Sequence, residues 1–380
     1  MGGIAALPHA GSIKLTVMNI LIDLSILRHP YCGLGQIALN YGRWYAAHAA
    51  ELGPDIRITL LVPKSHVGAF GPGVDYREAR DCYRLAPWLL PHYDLWHSIH
   101  QLSPFRPRHG GLRLLTIHDL NFLYEKQGGK RLRYLRRLQR ECDSARTVCF
   151  ISQFARQEAL RHLRLSGKEL HTIYNGVEDT TLGTQRRPAA VDPSKPFLLC
   201  IGVVKAKKNV HTLLPMMDRL PQHTLVIAGN DSDPYAQALR GELPKHPNVQ
   251  MVGIVTDEER RWLYAHCTAL AMPSLSEGFG LPVIEAMQWG KPVFASRCTS
   301  LPEIGGKEAY YFDDFAPDNM AGIVRQGLAD FTAQAAQAAT ARAATFDYPR
   351  HMQQYQQLYR QMLEQQPQGG LRQQKKRFFV

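Results

Sequence analysis

Short apolar runs alternate with longer stretches of helical spacing along most of the chain. Met18-Asn-Ile-Leu-Ile-Asp-Leu-Ser25 reads as a strand buried on both faces, the kind a parallel sheet requires. Arg28-His-Pro-Tyr-Cys-Gly-Leu-Gly35 follows, and then Gln36 to Leu52, where Ile37, Leu39, Trp44 and Tyr45 recur at helical intervals. Strand, glycine turn and helix open a βα unit. Runs at 56–62, 94–97, 112–117, 147–151 and 172–174 predict further strands with helices between several of them. Such alternation predicts an α/β protein with a doubly wound sheet. A second series begins at Phe197-Leu-Leu-Cys-Ile-Gly-Val-Val204 and continues at 224–228, 249–252, 269–272, 293–295 and 309–312. Residues 318–344, rich in alanine, and 349–364 predict terminal helices.

The two series imply two domains, which suits a chain of 380 residues, long for a single core. Residues 178–196 are rich in Thr, Gln, Arg, Pro, Asp and Ser and poor in bulky apolar side chains, so they predict the connection. The expected division is an N-terminal extension over 1–17, a first Rossmann-like domain over 18–178, a linker over 179–196 and a second Rossmann-like domain over 197–345. A C-terminal helix over 346–366 and a basic tail over 367–380 complete it.

One stretch carries more chemistry than any other: Pro273-Ser-Leu-Ser-Glu-Gly-Phe-Gly-Leu-Pro-Val-Ile-Glu-Ala-Met-Gln-Trp-Gly-Lys-Pro292. Gly278 and Gly280 allow a tight backbone path, Pro282 suits the first turn of a helix, and Gly290 with Pro292 ends it. At such a junction the N–H groups of Phe279, Gly280 and Leu281 have no partner within the helix, and the dipole adds positive potential. That is a site for an anion, phosphate above all. Glu277 and Glu285 frame it, as expected for one anion flanked by hydroxyls. Gly202-Val-Val-Lys-Ala-Lys-Lys-Asn209 leaves the carboxyl end of the strand that starts the second series, the edge where open α/β sheets bind ligands. His118 and Asp119 end an earlier strand at the same kind of edge.

Composition narrows the class. Hydrophobic residues make up 45% and charged residues 21%, ordinary for a globular protein, and no apolar run reaches the length of a membrane span. Met1-Gly-Gly-Ile-Ala-Ala-Leu-Pro lacks the pattern of a secretory signal, so a cytoplasmic location is expected. Seven scattered cysteines never fall as Cys-x-x-Cys, and the sixteen histidines form no His-Glu-x-x-His, so neither a disulfide frame nor a metal site is predicted. The net charge of +12 calls for an anionic partner. One source is an amphipathic segment over 129–142, with Lys130, Arg131, Arg133, Arg136, Arg137 and Arg140 around Leu132, Leu135 and Leu138. Its leucines suit either the sheet or the surface of an anionic bilayer, where the tail Lys375-Lys-Arg-Phe-Phe-Val380 would add a contact. No zinc-finger spacing or RNA-recognition aromatic motif accompanies the charge, so nucleic acid is not expected. Ser152 reads as a structural helix cap.

Glu277-Gly-Phe-Gly-Leu-Pro-Val-Ile-Glu285 resembles the signature of the GT-B glycosyltransferases of family 4, and the resemblance extends over 18–355, tightest over 197–312. It implies the GT-B fold, two doubly wound Rossmann-like domains facing each other across a cleft. It implies a retaining, metal-independent transfer of a sugar from a nucleotide diphosphate, GDP or UDP, to a hydroxyl of a glycan or lipid-linked acceptor. The expected setting is synthesis of cell-surface polysaccharide or lipopolysaccharide at the inner face of the cytoplasmic membrane, with no bound cofactor.

The same resemblance assigns roles residue by residue. Lys208 and Lys207 would meet the pyrophosphate, His118 the transferred sugar, Glu277 the donor sugar hydroxyls and Glu285 the ribose. Gly229, Gly253 and Ile254 would line the base pocket, the Gly278 to Leu281 loop the phosphates, and the loop of Gly33 and Gly35 in the first domain would approach the donor phosphates or the acceptor. Val203 departs from the family, many members of which carry arginine there, so the second cation falls to Lys207 or Lys205. Alternatives are another GT-B enzyme, a sugar-nucleotide epimerase or a phosphorylase, and a basic nucleic-acid-binding protein.

Overall fold

In the second half of the chain, neighbouring strand residues go to opposite cores: Phe197 and Leu199 join one apolar cluster, Leu198 and Cys200 the other. A strand sealed on both faces needs side chains that are apolar at every position, which is why these strands appear as unbroken runs. The computed structural model describes residues 17–30, 33–107 and 111–365. The expected extension before Met18, apart from Val17, and the tail over 367–380 lie outside the described residues.

Among the described residues thirteen strands form two sheets. The first contains β1 (Met18–Asp23), β2 (Ile56–Val62), β3 (Asp75–Glu78), β4 (Leu95–Ser98), β5 (Leu112–Ile117), β6 (Thr147–Phe150) and β7 (Glu169–Thr172), in the order β3-β2-β1-β4-β5-β6-β7. The second contains β8 (Phe197–Ile201), β9 (Thr224–Ala228), β10 (Val249–Gly253), β11 (Ala269–Met272), β12 (Val293–Ser296) and β13 (Tyr310–Phe312), in the order β10-β9-β8-β11-β12-β13. The order reverses beside the first strand of each sheet, between β1 and β4 and between β8 and β11. Ligands of open α/β sheets bind at such switch points, outside the strands' carboxyl ends. The described residues divide into two compact units, one running to Leu114 and resuming at Tyr359, the other Leu115–Leu358.

Several elements differ from the sequence reading. β3, with the sequence Asp-Tyr-Arg-Glu, was not expected; it is an edge strand, where charged side chains are tolerated and discourage pairing with other chains. The strand expected at 172–174 is Glu169–Thr172 instead. Ile173 and Tyr174 leave its end, and the Tyr174 carbonyl accepts from His351 at 2.6 Å. The alanine-rich stretch forms two helices, Pro317–Asp330 and Ala333–Ala344, because Thr332 caps the second by accepting from the Ala335 N–H.

The last helix, Tyr348–Glu364, packs by its aromatic residues. Within the Leu115–Leu358 unit Tyr355 hydrogen-bonds Thr116 of β5 at 3.1 Å. Within the other unit the Tyr359 hydroxyl meets His97 Nδ1 of β4 at 2.6 Å, and Arg360 donates to the Leu52 carbonyl at 2.7 Å. In the basic helix, Gly128–Ser144, the leucine stripe is only partly buried. Leu138 is sealed, Leu135 half-buried and Leu132 is 51% exposed, with Arg131, Arg133, Arg136 and Arg140 exposed around it. Among the described residues no helix is long and apolar enough to cross a membrane.

Candidate active site

Most of the residues singled out by sequence lie in the Leu115–Leu358 unit, at the carboxyl edge of the second sheet. β8 ends at Ile201 and β11 at Met272, so the lysine turn and the glutamate loop leave the two strands that flank the switch point. Glycines shape the edge itself. Gly202, Gly229 and Gly253 follow or end β8, β9 and β10 with φ of 136°, 131° and 74°. The Gly229 N–H donates to the Gly253 carbonyl and the Gly202 N–H to that of Ala228, so these backbones run side by side as a ledge without side chains. Ile254, just beyond it, is 75% exposed.

The lysines occupy a 3-10 turn, Ala206–Lys208, closed by Asn209 in the left-handed conformation. Lys208 Nζ donates to Glu277 Oε1 at 2.5 Å, with the two side chains 21% and 11% exposed. Lys207 Nζ donates to Glu125 Oε1 at 2.8 Å. Burial opposes the charge on Lys207, but the Glu125 carboxylate, with Asp119 and Glu277 nearby, outweighs it and raises the pKa above the usual lysine value. Both cations expected to meet a diphosphate therefore sit against carboxylates.

The helix Leu281–Gln288 begins after Gly280, whose φ of 112° makes the entry turn, and carries Pro282 one residue in. The Phe279 ring is buried against Tyr174 and Phe346, which anchors the loop. Gly278 is packed so closely that a Cβ there would stand 2.8 Å from the His118 carbonyl oxygen, bringing His118 and Asp119 against the signature loop. His118 is buried, and Asp119, half-buried beside it, has its carboxyl raised above the usual range by desolvation. Ser152 caps the helix Gln153–His162, as its sequence suggests, and its hydroxyl also donates to the Gly278 carbonyl at 3.1 Å.

Glu285 lies one turn into its helix with both oxygens engaged. Arg260 Nη1 donates to Oε1 at 3.2 Å and the Tyr264 hydroxyl to Oε2 at 2.6 Å. Glu285 in turn holds the Arg260 pKa above its usual value, while burial first and then Glu285 push that of Tyr264 well up. Neither partner was found from sequence, since they lie 25 and 21 residues away on another helix. Asn121 and Ser276, joined at 2.5 Å, and Thr299, which accepts from the Glu277 N–H at 3.0 Å, were also missed. Gly33 and Gly35 belong to the other unit, in the first turn of the helix Gly33–His48. A Cβ on Gly35 would lie 2.5 Å from the His29 carbonyl oxygen, whereas Gly33 has open space around it. Among the described residues no group of three His, Cys, Asp or Glu is placed to hold a metal ion.

Two parallel sheets, each with a switch point, and a lysine turn and a glutamate loop leaving one carboxyl edge define a doubly wound α/β architecture with its candidate site at that edge. The comparisons bring the class to a family. Residues 183–344 match the family described as Glycosyl transferases group 1, and residues 41–181 match Glycosyltransferase Family 4. O-antigen chain mannosyltransferase B of Escherichia coli is 28% identical over 269 residues, 65% of this chain and 69% of the relative. The serotype-specific mannosyltransferase WbdA of Escherichia coli is 24% identical over 359 residues, 87% of this chain but 40% of that longer protein. The structure of Anabaena HepE in complex with UDP-glucose superposes with a TM-score of 0.70 at 18% identity, covering 90% of this chain and 100% of that one. The chain belongs to the GT-B glycosyltransferases of family 4. The epimerase and nucleic-acid alternatives gain nothing from these matches.

Proposed function

We propose that this enzyme transfers a hexose from a nucleotide diphosphate to a hydroxyl of a glycan or lipid-linked acceptor, with retention and without a bound metal, in the synthesis of surface polysaccharide or lipopolysaccharide. The observation that carries the reading is the 2.5 Å contact between Lys208 and Glu277 at the β8/β11 switch point. In a sugar nucleotide the terminal phosphate is bonded directly to the sugar. A cation for the phosphate and an acceptor for the sugar hydroxyls must therefore be immediate neighbours, as these two are.

As the glycosidic bond breaks, the leaving diphosphate gains charge. Lys208, Lys207 and the N–H groups at Gly280 and Leu281 stabilise it without rearrangement, Lys207 exchanging Glu125 for phosphate. The departing phosphate takes the acceptor's proton, so no protein base is required. Glu277 and His118 hold the sugar, and the ledge at Gly229, Gly253 and Ile254 receives the base. The sheets over 18–178 and 197–345 act as acceptor and donor halves, with Gly33 and Gly35 contributing from the first.

Two relatives are named as mannosyltransferases, which makes GDP-mannose the first donor to test, and the HepE complex makes UDP-glucose the second. Turnover and thermal shift across GDP- and UDP-sugars should single out one donor that stabilises the protein and is consumed. A panel in which none binds or turns over would reject the reading.

Glu285 is assigned to the ribose. An ionised carboxylate accepts at about four positions, so the bonds from Arg260 and Tyr264 leave room for two ribose hydroxyls. Glu285→Ala is expected to weaken GDP or UDP binding about tenfold by calorimetry, the loss of one or two hydrogen bonds to a charged group. Unchanged affinity would remove the ribose contact.

The exposed face of Gly128–Ser144, with Leu132 among its arginines, is proposed to rest on an anionic bilayer. Each basic residue near such a surface contributes about 1 kcal/mol. Replacing Arg131, Arg133, Arg136 and Arg140 by Gln should lower vesicle binding at least about tenfold. Undiminished binding would leave that face without a membrane role.

A further inference from the structure

Among the described residues only two other than glycine have positive φ, Asn209 at 56° and Thr299 at 54°. Asparagine adopts this region readily, whereas a β-branched residue is crowded there and persists only where its surroundings enforce it. Such outliers gather at functional sites. Thr299 lies between β12 and the helix Leu301–Gly305, and its surroundings identify what the strained turn accomplishes.

The Thr299 hydroxyl oxygen accepts from the Glu277 N–H at 3.0 Å. The next residue, Ser300, is fully buried and donates to the carbonyls of Phe279 at 2.9 Å and Glu277 at 3.2 Å. Leu301 follows, its Cδ2 standing 2.8 Å from where a Cβ on Gly280 would be. Three consecutive residues thus grip the backbone from Glu277 to Gly280. Of these contacts, only the Thr299 bond reaches the N–H of Glu277, the residue whose carboxylate meets Lys208; Ser300 holds its carbonyl. With a relaxed φ at Thr299 the side chain would leave along a different direction, and the Glu277 N–H would lose its acceptor.

We infer that Thr299 is a positioning residue, held in a strained conformation so that its hydroxyl fixes Glu277 against Lys208 and thereby orients the donor sugar. This rests on the reading of Glu277 as the acceptor for sugar hydroxyls. A misplacement of about 1 Å at a reacting centre costs up to about a hundredfold in rate, so a small rotation of Glu277 is enough to matter.

The test compares Thr299→Val, Thr299→Ser and Glu277→Gln in the full chain, using the sugar nucleotide the wild type consumes and the matching free GDP or UDP. Valine keeps the branched shape and the strain but removes the acceptor. It should lower kcat/KM about tenfold or more while free GDP or UDP binds within about twofold of wild type. Serine keeps the acceptor without the branch; it should restore turnover to within about twofold and raise Tm by about 1–3 °C.

Valine turnover equal to wild type would overturn the inference, as would a matching loss of free-nucleotide affinity, which denotes general loosening of the loop. If the valine variant does not fold, serine decides, and a Tm no higher than wild type counts against the strain. Glu277→Gln separates the two levels. Full activity in that variant removes the sugar-binding reading itself, whereas an inactive Glu277→Gln beside an active Thr299→Val removes only the role of Thr299.

Discussion

Lys208→Ala is expected to lower kcat about a hundredfold while the protein stays folded. The Lys208 side chain, 21% exposed, lies against Glu277, where the field of its ammonium group is screened less than at an open surface. Losing one preorganised donor to a developing anion costs about 2.7–4 kcal/mol, and each 1.36 kcal/mol is a factor of ten in rate. The turn that carries Lys208 is held by its backbone, with the Lys208 N–H on the Lys205 carbonyl and the Leu275 N–H on that of Lys207, so truncating the side chain leaves the scaffold in place. Because Lys208 also steadies Glu277, the double variant with Glu277→Gln should lose little more than Lys208→Ala alone. Additive losses would mean that the two residues act separately, against the contact seen here.

Gly229→Ala is expected to have the largest effect on folding. Its Cβ would stand 2.0 Å from the Gly202 carbonyl oxygen and 2.6 Å from the carbonyl carbon, at a φ of 131°. Neither atom is the end of a flexible side chain. Both belong to the neighbouring backbone, which is tied in by the Gly202 N–H to Ala228 and the Gly229 N–H to Gly253. Overpacking and backbone strain each cost about 1–3 kcal/mol, so a loss of about 2–6 kcal/mol is expected as a lowered denaturation midpoint, with donor binding weakened at assay temperature. Gly241, in the helix Pro234–Glu242 with nothing near its would-be Cβ, is the control; alanine there should raise stability by about 0.5–1 kcal/mol. A tolerated Gly229→Ala would show that the ledge is not built as described.

The parts of the fold that the sequence makes legible are those whose residues have no choice of neighbour. β9 and β11 fall at the expected residues because burial on both faces leaves a nearly unbroken apolar run, and β2 and β5 do so although Arg57 and Thr59, and Arg113 and Thr116, interrupt theirs. β3 and β7 are edges, half exposed and mixed in composition, and there the apolar signal fades. Phe331 and Thr332 do not interrupt the apolar spacing of their stretch, so the helix break between them has no strong local signal.

The site divides in the same way. Residues close in sequence, such as Glu277 to Leu281 or Lys207 and Lys208, carry their geometry locally. The partners that aim them do not. Thr299 reaches Glu277 across 22 residues, Ser152 reaches Gly278 across 126, and Glu125 reaches Lys207 across 82. A hydroxyl that holds a loop resembles any other hydroxyl until the fold brings the loop to it. The same is true of Arg260 and Tyr264, whose helix reads as an ordinary amphipathic one, capped by Thr256 and Glu259.

Calorimetric titration of wild type and Lys208→Ala with a nucleoside diphosphate and its monophosphate, GDP with GMP or UDP with UMP, tests the central claim most directly. If Lys208 and the loop at Gly280 grip the terminal phosphate, wild type binds the diphosphate at least about tenfold more tightly than the monophosphate, and Lys208→Ala removes most of that difference while leaving monophosphate affinity unchanged. An equal preference for the diphosphate in both proteins would contradict it.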